Sequence, residues 1–153
     1  GAVVSAALTL AGAEHFDRLD PLVAAFHAEE GITLSAEARA AGIKPLLDGI
    51  PHGAAYLIGP PRAPIGYVIV TFGWSVEFGG MDGFVDEIFV RPGVRGRGVA
   101  GEVLLSLPRA LASAGLKALH LEVAADNEGA QRLYARCGFS LRKGYHLMTR
   151  HLS

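Results

Sequence analysis

Three arginines and two glycines set close together are the part of this chain best suited to grip a highly charged ligand. Arg91, Arg95 and Arg97 bring positive charge, and no acidic residue lies between Glu87 and Glu102. Gly96 and Gly98 carry no side chain to hold an anion off the backbone. A strand-like run, Phe84 to Val90, leads into the Pro92-Gly93 punctuation, and a helical pattern begins at about Val99. The loop therefore feeds a helix N-terminus, where the first N–H groups lack internal partners and the helix dipole is positive. Such a place takes a polyphosphate. Asp86 and Glu87, just upstream, offer a second chemistry: a carboxylate can remove a proton. Adjacent on a strand, they point to opposite faces, one of them toward packed helices or a cleft. A carboxylate half-buried in a strand has a raised pKa, which suits a base near neutral pH.

The loop fits two patterns. Gly96-Arg97-Gly98-Val99-Ala100-Gly101 matches the dinucleotide fingerprint G-x-G-x-x-G, with Glu122 about 20 residues on, where a ribose-binding acid belongs. Arg95 to Ala100 also fits R/Q-x-x-G-x-G/A. In a dinucleotide fold the glycines sit directly at the strand end, whereas here Arg91 to Arg95 intervene and are basic. An ordinary glycine turn before a helix is the plainer alternative, and the surrounding elements decide.

Those elements read in order as follows. Val3 to Leu10 predicts a strand; its run into Ala11-Gly12-Ala13 looks like a signal-peptidase site but lacks a basic leading region. Phe16, Leu19, Val23 and Phe26 predict a helix ending at Gly31, with Pro21 either kinking it or starting it behind an Asp20 cap. Ser35 caps a second helix towards Gly42, resuming at Pro45 to Ile50. Three strands follow, Ala54–Ile58, Ile65–Trp74 with Val68 and Val70 on one face, and Phe84–Val90 after a loop from Ser75 to Asp82. Their short connections imply antiparallel pairing, which argues against a doubly wound fold. The helix after the arginine loop runs to Gly115, with Pro108 inside it at a cost of about 3 kcal/mol or a kink. Leu116 to Val123 then reads as a strand parallel to Phe84–Val90 by right-handed crossover. Asp126 or Asn127 caps a last helix ending at Gly138. Strands near Phe139–Arg142 and Tyr145–Arg150 flank a Lys143-Gly144 turn.

The totals bound the possibilities. With 153 residues, half of them apolar and 19% charged, the chain has the makings of one compact domain. A formal net charge of -1 makes the arginine cluster local and gives no support for general attraction to nucleic acid or membrane. Cys137 is the sole cysteine and reads as core; a reducing cytoplasm is the expected setting. The histidines, His120 included, lack metal-ligand spacing, so no metal is expected.

The order of elements resembles the GNAT superfamily of acyl-CoA-dependent N-acetyltransferases over essentially the whole chain. Arg95 to Ala100 resembles that family's pyrophosphate loop. Asn127, Ala130, Leu133, Tyr134, Gly138 and Phe139 resemble its second motif, N-x-x-A-x-x-L/F-Y-x-x-x-G-F. The resemblance implies a single domain over residues 2–153 in the α/β (α+β) class. Its mixed, mainly antiparallel sheet would have about seven strands flanked by about four helices, with a splayed central strand pair. It implies that acetyl-CoA is the co-substrate. Its diphosphate would lie on Arg95, Gly96, Arg97, Gly98, Val99 and Ala100, and its pantetheine arm would add to backbone at Ile88, Phe89 and Val90 like an extra strand. An N–H of Phe89 or Val90 would polarise the thioester oxygen. Asn127 would bond the pantetheine amides, or simply cap its helix. Tyr134 would be the general acid that protonates the departing thiolate, or a buried tyrosine with its hydroxyl satisfied. For the general base, Glu87 and Asp86 together rank above Glu122. Paired acids resemble the polyamine-acetylating branch, and Leu121-Glu122-Val123 resembles the ribosomal-protein N-terminal branch. A structural salt bridge is the competing role for each. Trp74, Glu77 and Phe78 are candidates to line the acceptor pocket. The acceptor implied is a small cationic primary amine, with a peptide N-terminus or an aminoglycoside as alternatives, and the resemblance leaves room for a homodimer. A non-catalytic acyl-CoA-binding or sensor domain is the rival reading, and a dinucleotide oxidoreductase a distant third.

Overall fold

The computed structural model describes residues 6–153. In chain order the elements are β1 (Leu8–Leu10), α1 (Phe16–Glu30), α2 (Ala36–Leu47), β2 (Gly53–Ile58), β3 (Gly66–Ser75), β4 (Gly80–Val90), α3 (Val99–Ser113), β5 (Ala118–His120) and α4 (Glu128–Arg136). The sheet order is β1-β2-β3-β4-β5, antiparallel throughout except for the last pair, β4 with β5. The short hairpins and the single helical crossover leave little alternative.

Period-two alternation on the central strands builds a core on each face. Ala55, Leu57, Tyr67, Ile69 and Phe89 turn to one side and meet Leu19, Leu22 and Val23 of α1 with Ile43 and Leu47 of α2. Ile58, Val68, Val70, Val85 and Val90 turn to the other side and meet Val99, Val103, Leu104, Leu107 and Leu111 of α3. The result is a three-layer sandwich whose central sheet is buried on both faces.

Several boundaries differ from the sequence expectation. The first strand begins at Leu8 among the described residues, and the expected Val3–Ser5 portion lies outside them. Asp20 does not cap α1: its carboxylate accepts from Arg39 of α2 at 2.6 and 3.3 Å, and Pro21 sits inside a helix that began at Phe16. Ser35 does cap α2, accepting from the Ala38 amide at 3.1 Å. That helix continues through Gly42 and Pro45 because Ile43 and Leu47, one turn apart, are buried under it. α3 likewise runs through Pro108. β4 starts four residues early, since Gly80 to Gly83 pair with Phe72 to Ser75; ladder bonds there outweigh the poor strand propensity of Gly-Met-Asp-Gly.

The strand count is the main correction. Five strands form among the described residues, where about seven were expected, and Phe139–Arg142 and Tyr145–Arg150 carry none. A strand needs a partner, and neither run has one here.

Gly66 sits where β3 crosses β4 beneath the end of the arginine loop. A Cβ there would collide with the Phe89 carbonyl oxygen, which is backbone and cannot swing aside. Gly66→Ala should therefore push Phe89 and Val90 out of register and lower stability by about 1–3 kcal/mol, as overpacking does; urea denaturation of the variant measures it.

Candidate active site

The parallel ladder between β4 and β5 is only three pairs long, Asp82 with Ala118, Gly83 with Leu119 and Phe84 with His120. Beyond it the chains diverge, so Val85 to Val90 have no strand beside them on that side. At the other edge of β4, the Arg91 amide donates to the Ile65 carbonyl at 2.8 Å. Antiparallel alternation then turns the backbone groups of Phe89 to β3 and those of Ile88 and Val90 to the open side. Of the two amides expected to face a thioester oxygen, Val90 is thus the one directed into the opening.

Just past the ladder, β4 carries a bulge. Ile69 pairs with Glu87 and its neighbour Val70 with Val85, leaving Asp86 as the extra residue. The two acids consequently have different surroundings. Glu87 turns to the α1 face, where its carboxylate accepts from the Tyr67 hydroxyl at 2.7 Å and meets His27 Nε2 at 2.8 Å. Tyr67 is fully buried, and burial, then the hydrogen bond to Glu87 and its charge, hold the phenol well above the usual tyrosine range. It is a permanent donor. With Nε2–H directed at Glu87, His27 Nδ1 is buried and unpartnered. Both Glu87 oxygens are therefore engaged in tying β4 to β3 and α1.

Asp86 is exposed as a residue, yet its carboxyl is raised above the ordinary aspartate range. Partial burial of the group is the first cause, and the charges of Glu87 and Glu122 add to it against a smaller opposing effect of His27. Glu122, also exposed, lies two residues past the last ladder pair, as Asp86 does. The charge of Glu122 therefore reaches Asp86 just past the end of the ladder. On the ladder itself, His120 Nε2 is 3.0 Å from the Asp82 carboxylate, between the rings of Phe78 and Phe84. Trp74 is strongly exposed.

At the far end, the arginine loop enters α3 through Gly96 and Gly98, both left-handed at φ of 79° and 78°. No side chain caps α3, so its first amides are free to meet an anion. The three arginines divide their work. Arg91 Nε donates to the Pro64 carbonyl at 2.9 Å. Arg95 Nε donates to the Val90 carbonyl at 2.8 Å, and its terminal nitrogen donates to both Glu29 oxygens at 2.7 and 2.9 Å. Arg97 is exposed and makes no interaction with the described residues. Two of the three thus shape the loop, and Arg97 stays unengaged by the described residues.

α4 follows β5 and packs on α3. Asn127 Oδ1 accepts from the Ala130 amide at 3.1 Å, the cap role, which leaves its NH₂ group for other use. Gln131 clasps the preceding loop through the Ala124 and Ala125 carbonyls at 3.1 and 3.0 Å. Tyr134 is half-buried, edge-on to Phe139 at 6.3 Å, and its hydroxyl bonds to no described residue. Its phenol is raised by burial and, secondarily, by the charge of Glu30, so it stays protonated and able to donate. Cys137 packs on α3, its thiol 3.7 Å from the Gly101 carbonyl. Among the described residues no group of three or more His, Cys, Asp or Glu could hold a metal. Among the described residues no helix is long and apolar enough to cross a membrane.

Sequence reasoning missed Tyr67, His27 and Glu29. Their partners lie 20, 60 and 66 residues away, and none stands in a recognisable motif.

The chain is an α/β sandwich opened between two parallel strands, with an uncapped helix N-terminus at one end of the opening and acids at the other. The model of the Acetyltransferase (GNAT) family matches residues 22–139, and the chain belongs to that family. An integron cassette protein from the mobile metagenome of Cole Harbour Salt Marsh is similar at 32% identity, covering 95% of this chain and 90% of that one, with a TM-score of 0.81. The fold is shared with AAC(6')-Iy in complex with a bisubstrate analog, CoA-S-monomethyl-acetylneamine, at 17% identity, TM-score 0.78 and coverage of 95% and 98%. It is shared too with ribosomal-protein-alanine N-acetyltransferase from Brucella melitensis biovar Abortus 2308, at 18% identity, TM-score 0.75 and coverage of 95% and 99%. A search of curated proteins found no match.

Because Asp86 is raised in the folded chain, its ionisation opposes folding above the unfolded aspartate pKa, and the cost vanishes below it. Asp86→Asn should raise the melting temperature slightly at pH 7 and leave it unchanged near pH 3; calorimetry at the two pH values measures this.

Proposed function

We propose that this chain transfers the acetyl group of acetyl-CoA to a primary amine by direct attack, and that the acceptor is a small cationic amine. The observation that carries the reading is the opening beyond Phe84 and His120, with Asp86 and Glu122 at its mouth and an unengaged Tyr134 hydroxyl on its wall. The residues present fit acetyl-CoA as co-substrate. The free amides of α3 and Arg97 suit its diphosphate, and the outward groups of Ile88 and Val90 suit an extended pantetheine arm.

In this reading Asp86 and Glu122 hold the acceptor ammonium, and Asp86, directly or through water, takes its proton. The freed amine attacks the thioester carbonyl carbon while Val90 N–H donates to the oxygen, a contribution of about 3–4 kcal/mol for a well-placed donor. As the C–N bond forms and the C–S bond breaks, the Tyr134 hydroxyl gives its proton to the departing sulfur, and the proton shed by the new amide nitrogen passes, directly or through water, to the phenolate and restores it. The products are an N-acetyl amine and the coenzyme A thiol. Glu87, ranked beside Asp86 from the sequence, becomes a positioning residue, because Tyr67 and His27 hold both its oxygens. A cytoplasmic setting, with its supply of acetyl-CoA, belongs to the same reading.

The test is thiol release from acetyl-CoA across a panel of diamines, amino acids, aminoglycosides and peptides, with the diamines expected to turn over fastest. Tyr134→Phe should lower kcat by about 10²-fold or more, the usual worth of a positioned acid, with acetyl-CoA affinity nearly intact. Binding of acetyl-CoA with no turnover on any amine would favour a sensor domain instead. Glu122→Gln removes a negative charge that raises Asp86, so the acidic limb of the kcat/KM profile should move to lower pH. A limb that stays in place would exclude Asp86 as the base.

A further inference from the structure

The hydrogen-bonded pair of His120 and Asp82 has no part in the transfer chemistry, yet it stands at the edge of the opening. Phe84 faces His120 on the last rung of the β4–β5 ladder, and Asp82 lies two residues back. A Cβ on Gly83 would meet Leu116, Leu119 and Val70, side chains of the α3 core. By alternation Asp82, Phe84 and His120 turn to the opposite face, the one that carries Glu87, Tyr67 and His27. Asp86, two residues past Phe84, feels the charges of Glu87 and His27 from that same face.

Both members of the pair keep an open polar atom. With His120 Nε2–H directed at Asp82 Oδ2, Nδ1 is left as an acceptor, and Asp82 Oδ1 takes no hydrogen bond from the described residues. Among those residues only His27 Nδ1 is both buried and unpartnered, so these two atoms reach solvent. Room is kept beside them: Gly73 faces Asp82 across the β3–β4 ladder, and a Cβ there would lie 3.1 Å from Oδ1. The walls are aromatic, with Phe78 and Phe84 at 5.6 and 6.4 Å from the imidazole. Arg142, over the far side of the Phe78 ring, is bonded to Glu77, and no lysine or arginine among the described residues pairs with Asp82. The two side chains are only 26% and 21% exposed. A carboxylate so far withdrawn from water, with one imidazole for partner and ring faces around it, favours a cation.

We propose that Asp82 and His120 form a distal subsite of the acceptor cleft, holding a second ammonium of the acceptor while the first is acetylated beside Asp86. The inference rests on the amine-acetylating reading above and narrows its acceptor to an amine with two cationic ends. His120 Nε2 fixes the carboxylate, Asp82 Oδ1 and His120 Nδ1 accept from the ammonium, and Phe78 and Phe84 offer it their rings. Two to four residues of strand separate the pair from Asp86, roughly 7–13 Å. A chain of about five to nine methylenes spans that distance.

Calorimetry in the presence of coenzyme A, which carries no acetyl group to transfer, tests the subsite without turnover. The probes are the terminal six-carbon diamine, the amino alcohol of the same length and the two-carbon diamine. The six-carbon diamine should bind at least tenfold more tightly than either of the others. Asp82→Asn, which keeps an oxygen for His120 Nε2–H, should bring the ratio of diamine to amino alcohol affinity close to one. General damage to the fold would lower both affinities and leave their ratio alone. His120→Gln keeps a donor for Asp82 but no ring acceptor, and should lower the ratio at least threefold. A wild-type ratio near one overturns the proposal, and so does a ratio that both variants leave unchanged. Thiol release with the same amines separates this result from the reading beneath it. Turnover with no preference for the six-carbon diamine sinks the subsite alone; no turnover on any amine sinks the transfer reading, and the calorimetric ratio still decides the subsite.

Discussion

The whole arrangement depends on a parallel pairing that stops after three residues. β4 and β5 begin side by side and then cannot stay so, because the two strands are held from different sides. β4 is drawn to the α1 face by Glu87, whose carboxylate is shared between a fully buried phenol on β3 and a buried imidazole on α1. The bulge at Asp86 takes up the extra residue and bends the strand there. β5 passes instead into a loop that Gln131 and the Asn127 cap fasten to α4.

The two ends of the opening carry opposite charge for separate reasons. At the mouth, burial first and then the charges of Glu87 and Glu122 raise the pKa of Asp86, so part of its proton affinity is supplied by its neighbours. At the far end, positive potential comes from free helix amides and from Arg97, while Arg91 and Arg95 give their donors to backbone carbonyls and Glu29. Arg95 also lies on the Phe89 ring at 5.4 Å, so the loop, β4 and α1 are fastened at one point. The exposed Arg95–Glu29 pair adds little stability by itself; its role is geometric.

Both cores converge on the site strand. Phe89 belongs to the α1–α2 core, while Val85 and Val90 belong to the α3 core. The backbone groups that face the opening are thus fixed by packing on both sides of the sheet, which is how a strand with one bare edge keeps its shape.

Much of this was legible in the residues alone. The loop glycines, the Ser35 and Asn127 caps, the antiparallel run of β2, β3 and β4 and the crossover to β5 follow from interactions spanning a few residues. So does the two-motif resemblance that led to the family. The length of β4 and the continuity of α2 through Pro45 were not legible, because a ladder partner and a buried helix face outweighed local propensity. Tertiary structure alone distinguished Asp86 from Glu87 and Arg97 from Arg95. Those neighbours are alike in charge and differ only in what distant segments bring to them: His27, Tyr67 and Glu29 come from 20 to 66 residues away. The C-terminal runs show the same limit, for a strand pattern becomes a strand only where another backbone supplies its hydrogen bonds.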